Sequence, residues 1–363
     1  MSHPESGSHD TPTLPPPSGD LTVPAPYRSA AAPQALPFVF TGKGGEYFGI
    51  WIVNLLLTIV TLGIYSAWAK VRRLQYFYRN TSLAGASFDY HGNPMAILKG
   101  RVIMFVLFVV YNATAQFFPL FGLIVFVALA AVMPFLLQRS LRFRAHYTSW
   151  SGLRFGFDGS LGGAYRVFLL WPFLTTITLY LLGPMWHQRL KQYQHRHARY
   201  GATQFAFDAR VGGFYRVYLL AFGVVIGGVI LIVIASGLGA TQNSAFVGLL
   251  PFAILGLALF IQPYLMAKLQ NLVWNHTQIG PNRFDSHVAS GRLFFIVITN
   301  LIGIVLTLGL YQPFAAIRLA RYRLESVSLL AAGPLDEFVA GQQQEVSATG
   351  EGAADVFDID IAL

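Results

Sequence analysis

The residues with the clearest chemical potential in this chain are bases set among aromatic rings. Lys70, Arg72, Arg73 and Arg79 alternate with Trp68, Leu74, Tyr76, Phe77 and Tyr78. Arg139, Arg142 and Arg144 with His146 repeat the theme, as do Arg189, Lys191, Arg196 and Arg199, and then Arg318, Arg321 and Arg323. Bases and rings at this spacing make an amphipathic helix that lies at a lipid headgroup layer. Each base near an anionic surface contributes about 1 kcal/mol, so a four-base cluster favours anionic lipid by a few kcal/mol, enough for retention but not for specificity. The plain role of these clusters is topological anchoring. The functional one is a site for anionic phospholipid headgroups or an anionic substrate.

A second polar set lies inside apolar stretches. Asn54 and Asn300, with Thr61 and Thr307, occupy matching repeat positions and are expected to line a cavity on a pseudo-twofold axis. Helix–helix hydrogen bonds account for the same residues. His187, His195 and His197 resemble a metal fragment, but an i, i+2 pair points to different helix faces, and the surrounding bases repel a cation. There is no cysteine and no HExxH, so neither a metal nor another cofactor is expected. Catalysis is not expected either, because no apolar segment holds a carboxylate pair, a Ser/His pair or a metal set. Gly42-x-Gly44-Gly45, Gly162-Gly163 and Gly212-Gly213 lack the Gly-Lys-Ser/Thr of a phosphate loop. They are expected to supply positive φ at strand-to-helix turns. Asp89, Asp158, Asp208 and Asp285 are expected to cap helices or to pair with Arg166 and Arg216.

The elements that position these residues recur. Phe155-Gly-Phe157-Asp158 to Leu170 matches Phe205-Ala-Phe207-Asp208 to Leu220 at an offset of 50, without gaps. At an offset of 246, Asn54 pairs with Asn300, Thr61-Leu62-Gly63 with Thr307-Leu308-Gly309, Tyr65 with Tyr311, Arg72 with Arg318 and Tyr76 with Tyr322. The unit is a Phe-x-Phe strand, a glycine pair, an apolar helix and a basic burst. Seven apolar segments follow from it, roughly 47–69, 102–118, 119–138, 164–186, 214–238, 244–267 and 293–317. A bilayer core of about 30 Å needs about 20 helical residues, and most of the seven reach that length.

Composition agrees with lipid as solvent: apolar residues make up 54%, charged residues 11%, and mean hydropathy is +0.51. Residues 37–325 carry 24 of the 25 bases against six acids, a net charge of +18. The bases sit at the ends of apolar runs, so a membrane surface explains them and nucleic acid is not expected. Residues 1–36 read as a disordered Pro/Ser-rich tail and 326–363 as an acidic flexible tail. Topology is the strained point. Five links are basic, and the positive-inside rule places all five in the cytoplasm, which seven single crossings cannot achieve. Either segments 47–69, 164–186 and 293–317 are broken or re-entrant, with Gly63, Pro172, Gly183-Pro184, Gly309 and Pro313 as break points, or some basic links lie outside.

Phe40-Thr-Gly-Lys-Gly-Gly-Glu-Tyr-Phe48, Thr61-Leu-Gly-Ile-Tyr65, Lys70-Val-Arg-Arg73, Tyr76 to Thr81 and Thr307-Leu-Gly-Leu-Tyr311 together resemble the YjgN (DUF898) family of bacterial proteins. The resemblance covers about 37–325. It implies a multi-pass protein of the bacterial inner membrane with unassigned function and supplies no catalytic residues. The expected fold is an all-α membrane bundle of about five repeated units, with small Phe-x-Phe strands on one face. The expected function is transport or permeation of a small or lipid-like anion. The alternative is a non-catalytic scaffold that binds anionic lipid or a partner protein.

Overall fold

The computed structural model describes residues 34–240 and 250–349. Ten short antiparallel strands close into a barrel: β1 (Gln34–Phe40), β2 (Thr81–Leu83), β3 (Ala86–Tyr90), β4 (Thr148–Trp150), β5 (Leu153–Phe157), β6 (Ala198–Tyr200), β7 (Thr203–Phe207), β8 (Thr277–Ile279), β9 (Asn282–Ser286) and β10 (Val327–Ala331). Each strand pairs with its sequence neighbours, and β1 closes the ring. Its first half pairs with β10 and its second half with β2. Two-residue turns join the hairpins at one end. Ala84-Gly85 and Ser151-Gly152 have positive φ at both positions, whereas Gly201-Ala202 and Gly280-Pro281 have it only at the first. These are the I′ and II′ patterns, whose twist matches that of the flanking strands.

At the other end, each unit leaves the barrel as a pair of helices and comes back to it. Hairpin I is α1 (Gly44–Val60) and α2 (Ser66–Arg79), and hairpin II is α3 (Pro94–Phe117) and α4 (Pro119–His146). Hairpin III climbs through α5 (Leu161–Tyr165), a π-helical turn (Arg166–Leu170) and α6 (Trp171–Ile177), and returns as α7 (Gly183–Arg196). Hairpin IV is α8 (Val211–Ala240) and α9 (Leu250–Trp274), and hairpin V is α10 (Ser290–Leu306) and α11 (Gln312–Glu325). Both arms of all five pairs therefore root in one barrel. Apolar segments 47–69, 164–186 and 293–317 are each broken within hairpins I, III and V. Gly63 N–H donates to Thr58 O and Leu62 N–H to Ile59 O; Tyr180, Leu179, Gly309 and Leu308 repeat the pattern. This is a Schellman helix end with a leucine as the first left-handed residue in every copy: φ is 50° at Leu62, 49° at Leu179 and 49° at Leu308.

The expected all-α bundle is therefore wrong. The strands do not cap a face; they form the closed barrel on which the helices hang, and alternate strand residues fill its interior. Among the described residues, three helical stretches are long and apolar enough to cross a membrane (Pro94–Phe117, Leu120–His146 and Val211–Ile234), and Gly44–Val60, Leu161–Ile177 and Ser290–Leu306 are shorter. The stretch read as an acidic tail from 326 contributes β10 and then α12 (Leu335–Thr349). Leu335 and Val339 of α12 are buried with Leu83, Trp150, Tyr200, Ile279 and Val327, so this helix closes the barrel at its hairpin-turn end. Of the tail expected at 1–36, Gln34 to Leu36 belong to β1, while residues 1–33, like the link at 241–249 and residues 350–363, lie outside the described residues. The glycine pairs are also corrected. Gly162, Gly163, Gly212 and Gly213 show no positive φ. A Cβ on Gly163 would stand 2.8 Å from the Tyr193 ring and one on Gly213 3.0 Å from Leu272, so these two let paired helices approach closely.

Candidate functional site

The first residue of every Phe-x-Phe motif points into the barrel. Phe38, Phe88, Phe155, Phe205 and Phe284 come one from each unit and form a closed ring. Successive centroids lie 6.0, 6.4, 6.4, 6.3 and 6.5 Å apart, with interplanar angles of 17–26°. Rings placed around a circle stay this nearly parallel only if their normals lie near the barrel axis. They therefore lie flat across the lumen as a diaphragm. Trp150, Tyr200, Ile279 and Leu329 fill the barrel beneath it, and α12 covers the end.

Above the diaphragm, between α2, α9 and α11, is a chamber of about 590 Å³. Phe38 and Phe88 form part of its floor; Phe77, Trp274, Leu319 and Leu324 supply apolar wall; Arg73, Gln270 and Arg323 bring polar atoms. Arg323 Nε donates to Gln270 Oε1 at 2.6 Å, and Gln270 Nε2 donates back to the Arg323 carbonyl at 2.9 Å. Neither Arg73 nor Arg323 is ion-paired to a carboxylate among the described residues. Burial lowers the pKa of Arg323. The nearby Lys191 ammonium is lowered first by burial and then by Arg323. Arg323 and Lys191 are half-buried without a carboxylate partner among the described residues, whereas Arg73 is exposed; partly buried, unneutralised cations are costly for the fold unless an anion shares the place.

The expected lipid-binding bases are spread over hairpins I, II, III and V. Position for position, Arg72, Arg139, Arg189, Lys268 and Arg318 each stand nine residues before the strand that follows, a five-membered ring of charge. Arg72 lies over the Tyr65 ring at 5.7 Å and Arg73 over Phe77 at 6.0 Å. Arg79 pairs with Asp89 at 2.8 Å. Arg142 and Arg196 donate to the Phe157 and Phe207 carbonyls. Arg189 donates to Gln192 and Lys191 to Gln194. Arg318 donates to Thr299 and Asn300, and Arg321 to the Gly42 carbonyl. Lys70 is lowered by burial and then by the charges of Arg101 and Arg144, so those three lie together. Of the bases in these clusters, Arg73 and Arg323 line the chamber.

The proposed Asn/Thr cavity finds no counterpart in the chamber. Thr61 and Thr307 bond within the hairpin tips, each donating to the carbonyl four residues back and accepting from Tyr65 or Tyr311 N–H. Asn300 ties α10 to α11 through the Ala315 carbonyl, and Asn54 is buried in α1. The three histidines go separate ways. His187 meets the Tyr218 hydroxyl, His195 meets Thr277 and lies over Phe207, and His197 meets the Tyr193 carbonyl. Burial and the Lys191 charge lower His195 to about 4. The aspartates pair differently from expectation: Asp158 with Arg199 and Asp285 with His287. Sequence reasoning missed Gln270 and Trp274. Only the recurrence of Phe at one register in all five units signalled the diaphragm.

The model of one family, described as a bacterial protein of unknown function (DUF898), matches residues 35–356. Inner membrane protein YjgN of Salmonella typhimurium is 36% identical over 140 residues, 38% of this chain and 35% of the relative. Inner membrane protein YjgN of Escherichia coli O157:H7 is 36% identical over 143 residues, 39% and 35% of the two chains. The aligned part is thus about a third of the length of these curated relatives. No solved structure matches the chain at a significant level. The family match spans the barrel, all five hairpins and α12, and the chain belongs to the DUF898 family.

Proposed function

We propose that this protein sits in the bacterial inner membrane with its barrel on the cytoplasmic side and binds an anionic amphiphile in the chamber above the diaphragm. Hairpin lengths support the seating. In hairpin II, 16 residues separate Arg101 from Phe117 and 19 separate Leu120 from Arg139, roughly 24–29 Å of helix, close to a full core of about 30 Å. In hairpins I, III and V only four to six helical residues, about 6–9 Å, and a four-residue turn separate the tip leucine from Lys70, Arg189 and Arg318, no more than one leaflet. Hairpin II would cross while I, III and V turn back near mid-bilayer, which leaves all the basic links on the barrel side, as the positive-inside rule requires.

The observation that carries the ligand reading is the chamber itself: apolar walls and an aromatic floor with Arg73 and Arg323 at one place. Such a lining suits a ligand with a charged head and a greasy body. Permeation along the barrel axis is the weaker reading, because the five rings, the core beneath them and α12 occupy that path. Binding of dodecyl phosphate to the protein in lipid nanodiscs tests the proposal. The Arg73→Gln/Arg323→Gln double variant is expected to bind at least about tenfold more weakly, one lost charged hydrogen bond being worth about 1.5–3 kcal/mol. Equal binding by the variant, or equal binding of dodecanol, would overturn it.

A further inference from the structure

Hairpins I and III are gapless copies at an offset of 117, and each carries a cleft of about 490 Å³ on its outer side. The returning helix lines both clefts with one pattern. Arg72-x-x-Gln75-Tyr76-x-x-Arg79 in hairpin I is Arg189-x-x-Gln192-Tyr193-x-x-Arg196 in hairpin III. Spacings of three, four and seven place all four residues on one helix face. The outgoing helix supplies matching apolar wall, Ile50 and Val53 in one and Val167 and Leu170 in the other. We infer that these two clefts are specific sites for the phosphodiester headgroup of anionic phospholipid, with the acyl chains running toward the tips.

Depth, charge and an unfilled donor point the same way. Arg72 and Arg189 each stand six residues into the returning helix, about 9 Å, beyond a four-residue turn that starts at the tip leucine, and an extended arginine side chain snorkels several ångströms further toward the headgroups. A tip at mid-bilayer puts both guanidiniums at the phosphate level. Arg189 Nε is buried with no hydrogen-bond partner, and Arg72 makes a ring contact but no ion pair among the described residues. The inner arginines are already engaged, Arg79 by Asp89 and Arg196 by the Phe207 carbonyl, so the outer pair is left for a ligand. Guanidinium presents paired donors that fit a phosphate.

Hairpin V is the internal control. Its equivalent residues read Arg318-x-x-Arg321-Tyr322-x-x-Glu325, with an acid in the last position. Arg318 turns inward to Thr299 and Asn300, and Arg321 is spent on the Gly42 carbonyl. The inference therefore predicts two such sites, not three. It rests on the membrane seating proposed above but not on the chamber.

Native mass spectrometry of the whole chain with phosphatidylglycerol reads this directly. Arg72→Gln and Arg189→Gln are each expected to remove one retained lipid and the double variant two, while Arg318→Gln and the Arg73/Arg323 chamber variant keep both. Arg72→Lys and Arg189→Lys, which keep the charge and spare the fold, are expected to hold the lipid about tenfold more weakly because the fork is lost. Retention unchanged in the Gln and Lys variants, a loss in Arg318→Gln, equal retention of phosphatidylcholine, or displacement of the lipid by inorganic phosphate would overturn the inference.

Discussion

The tips of hairpins I, III and V offer a perturbation whose sign depends on what surrounds them. Leu62, Leu179 and Leu308 are 95%, 85% and 94% exposed within the protein, so replacing them removes almost no internal packing. All three hold left-handed φ, which costs a leucine about 1–2 kcal/mol and which Asp tolerates better. In water, Leu62→Asp should therefore stabilise the protein by about 1 kcal/mol. In hydrocarbon the same change moves a residue worth about −0.5 kcal/mol to one worth about +3 kcal/mol at mid-bilayer. After allowing for relieved strain, a net loss of roughly 2 kcal/mol per tip remains. The three single variants and the triple variant should unfold at progressively lower temperature in lipid nanodiscs, followed by near-ultraviolet circular dichroism. A tip variant as stable as the parent, or more stable, would refute the placement of these leucines among acyl chains.

Phe284→Ala removes one blade of the diaphragm, a buried ring that touches Phe38, Phe205 and Trp274; it should cost roughly 3–5 kcal/mol in denaturant unfolding. Vesicles carrying that variant should stay ion-tight, since Trp150, Tyr200 and Leu329 still fill the barrel below. Tyr76, Tyr193 and Tyr322 each donate from the hydroxyl to the backbone carbonyl that precedes their own hairpin, at Lys43, Ser160 and Ala289. Each Tyr→Phe change should cost about 1 kcal/mol, and the three should add. Gln342 Oε1 accepts from Ala202 and Thr203 N–H at the barrel end, so Gln342→Ala should loosen α12 and raise amide exchange at those two positions. His195, held at about 4 by burial and Lys191, protonates near 6.5 once unfolded. The unfolded chain thus binds the extra proton between those values, and stability should be full above pH 6.5 and fall as pH drops toward 4; His195→Asn should flatten that slope in pH-dependent melts.

The five-unit plan was legible because bases and Thr-Leu-Gly pieces recur at fixed offsets. Its third tip was hidden: Thr178-Leu179-Tyr180 puts a tyrosine at φ 66° where the other copies have Gly63 and Gly309. The barrel was not legible because its strands are three to seven residues long, too short for a periodic signal, and because closure depends on β1 meeting β10 across almost the whole chain. The second motif residue also varies, from Phe40 to Tyr90 to Ser286, which blurs the repeat where it matters structurally. Helix α12 was missed because Asp336, Glu337 and Glu345, with no base among them, marked the stretch as an acidic tail, whereas Leu335 and Val339 do the packing. Arg72, Arg79, Arg189 and Arg196 could be named from sequence as lipid-facing bases. Their grouping into two equivalent clefts, and the exclusion of hairpin V, depended on seeing where Arg318 points.

The account stands on all five helix pairs rooting on one side of the bilayer. Because the chain has no cysteine, single cysteines can be placed at Gln75, Gln194 and Ser328 on the barrel side and at Phe118 at the tip of hairpin II. They can then be probed with an impermeant thiol reagent in spheroplasts. Labelling at Phe118 alone, with the other three reacting only after lysis, is the predicted result. Labelling at Gln194 in intact spheroplasts would contradict it.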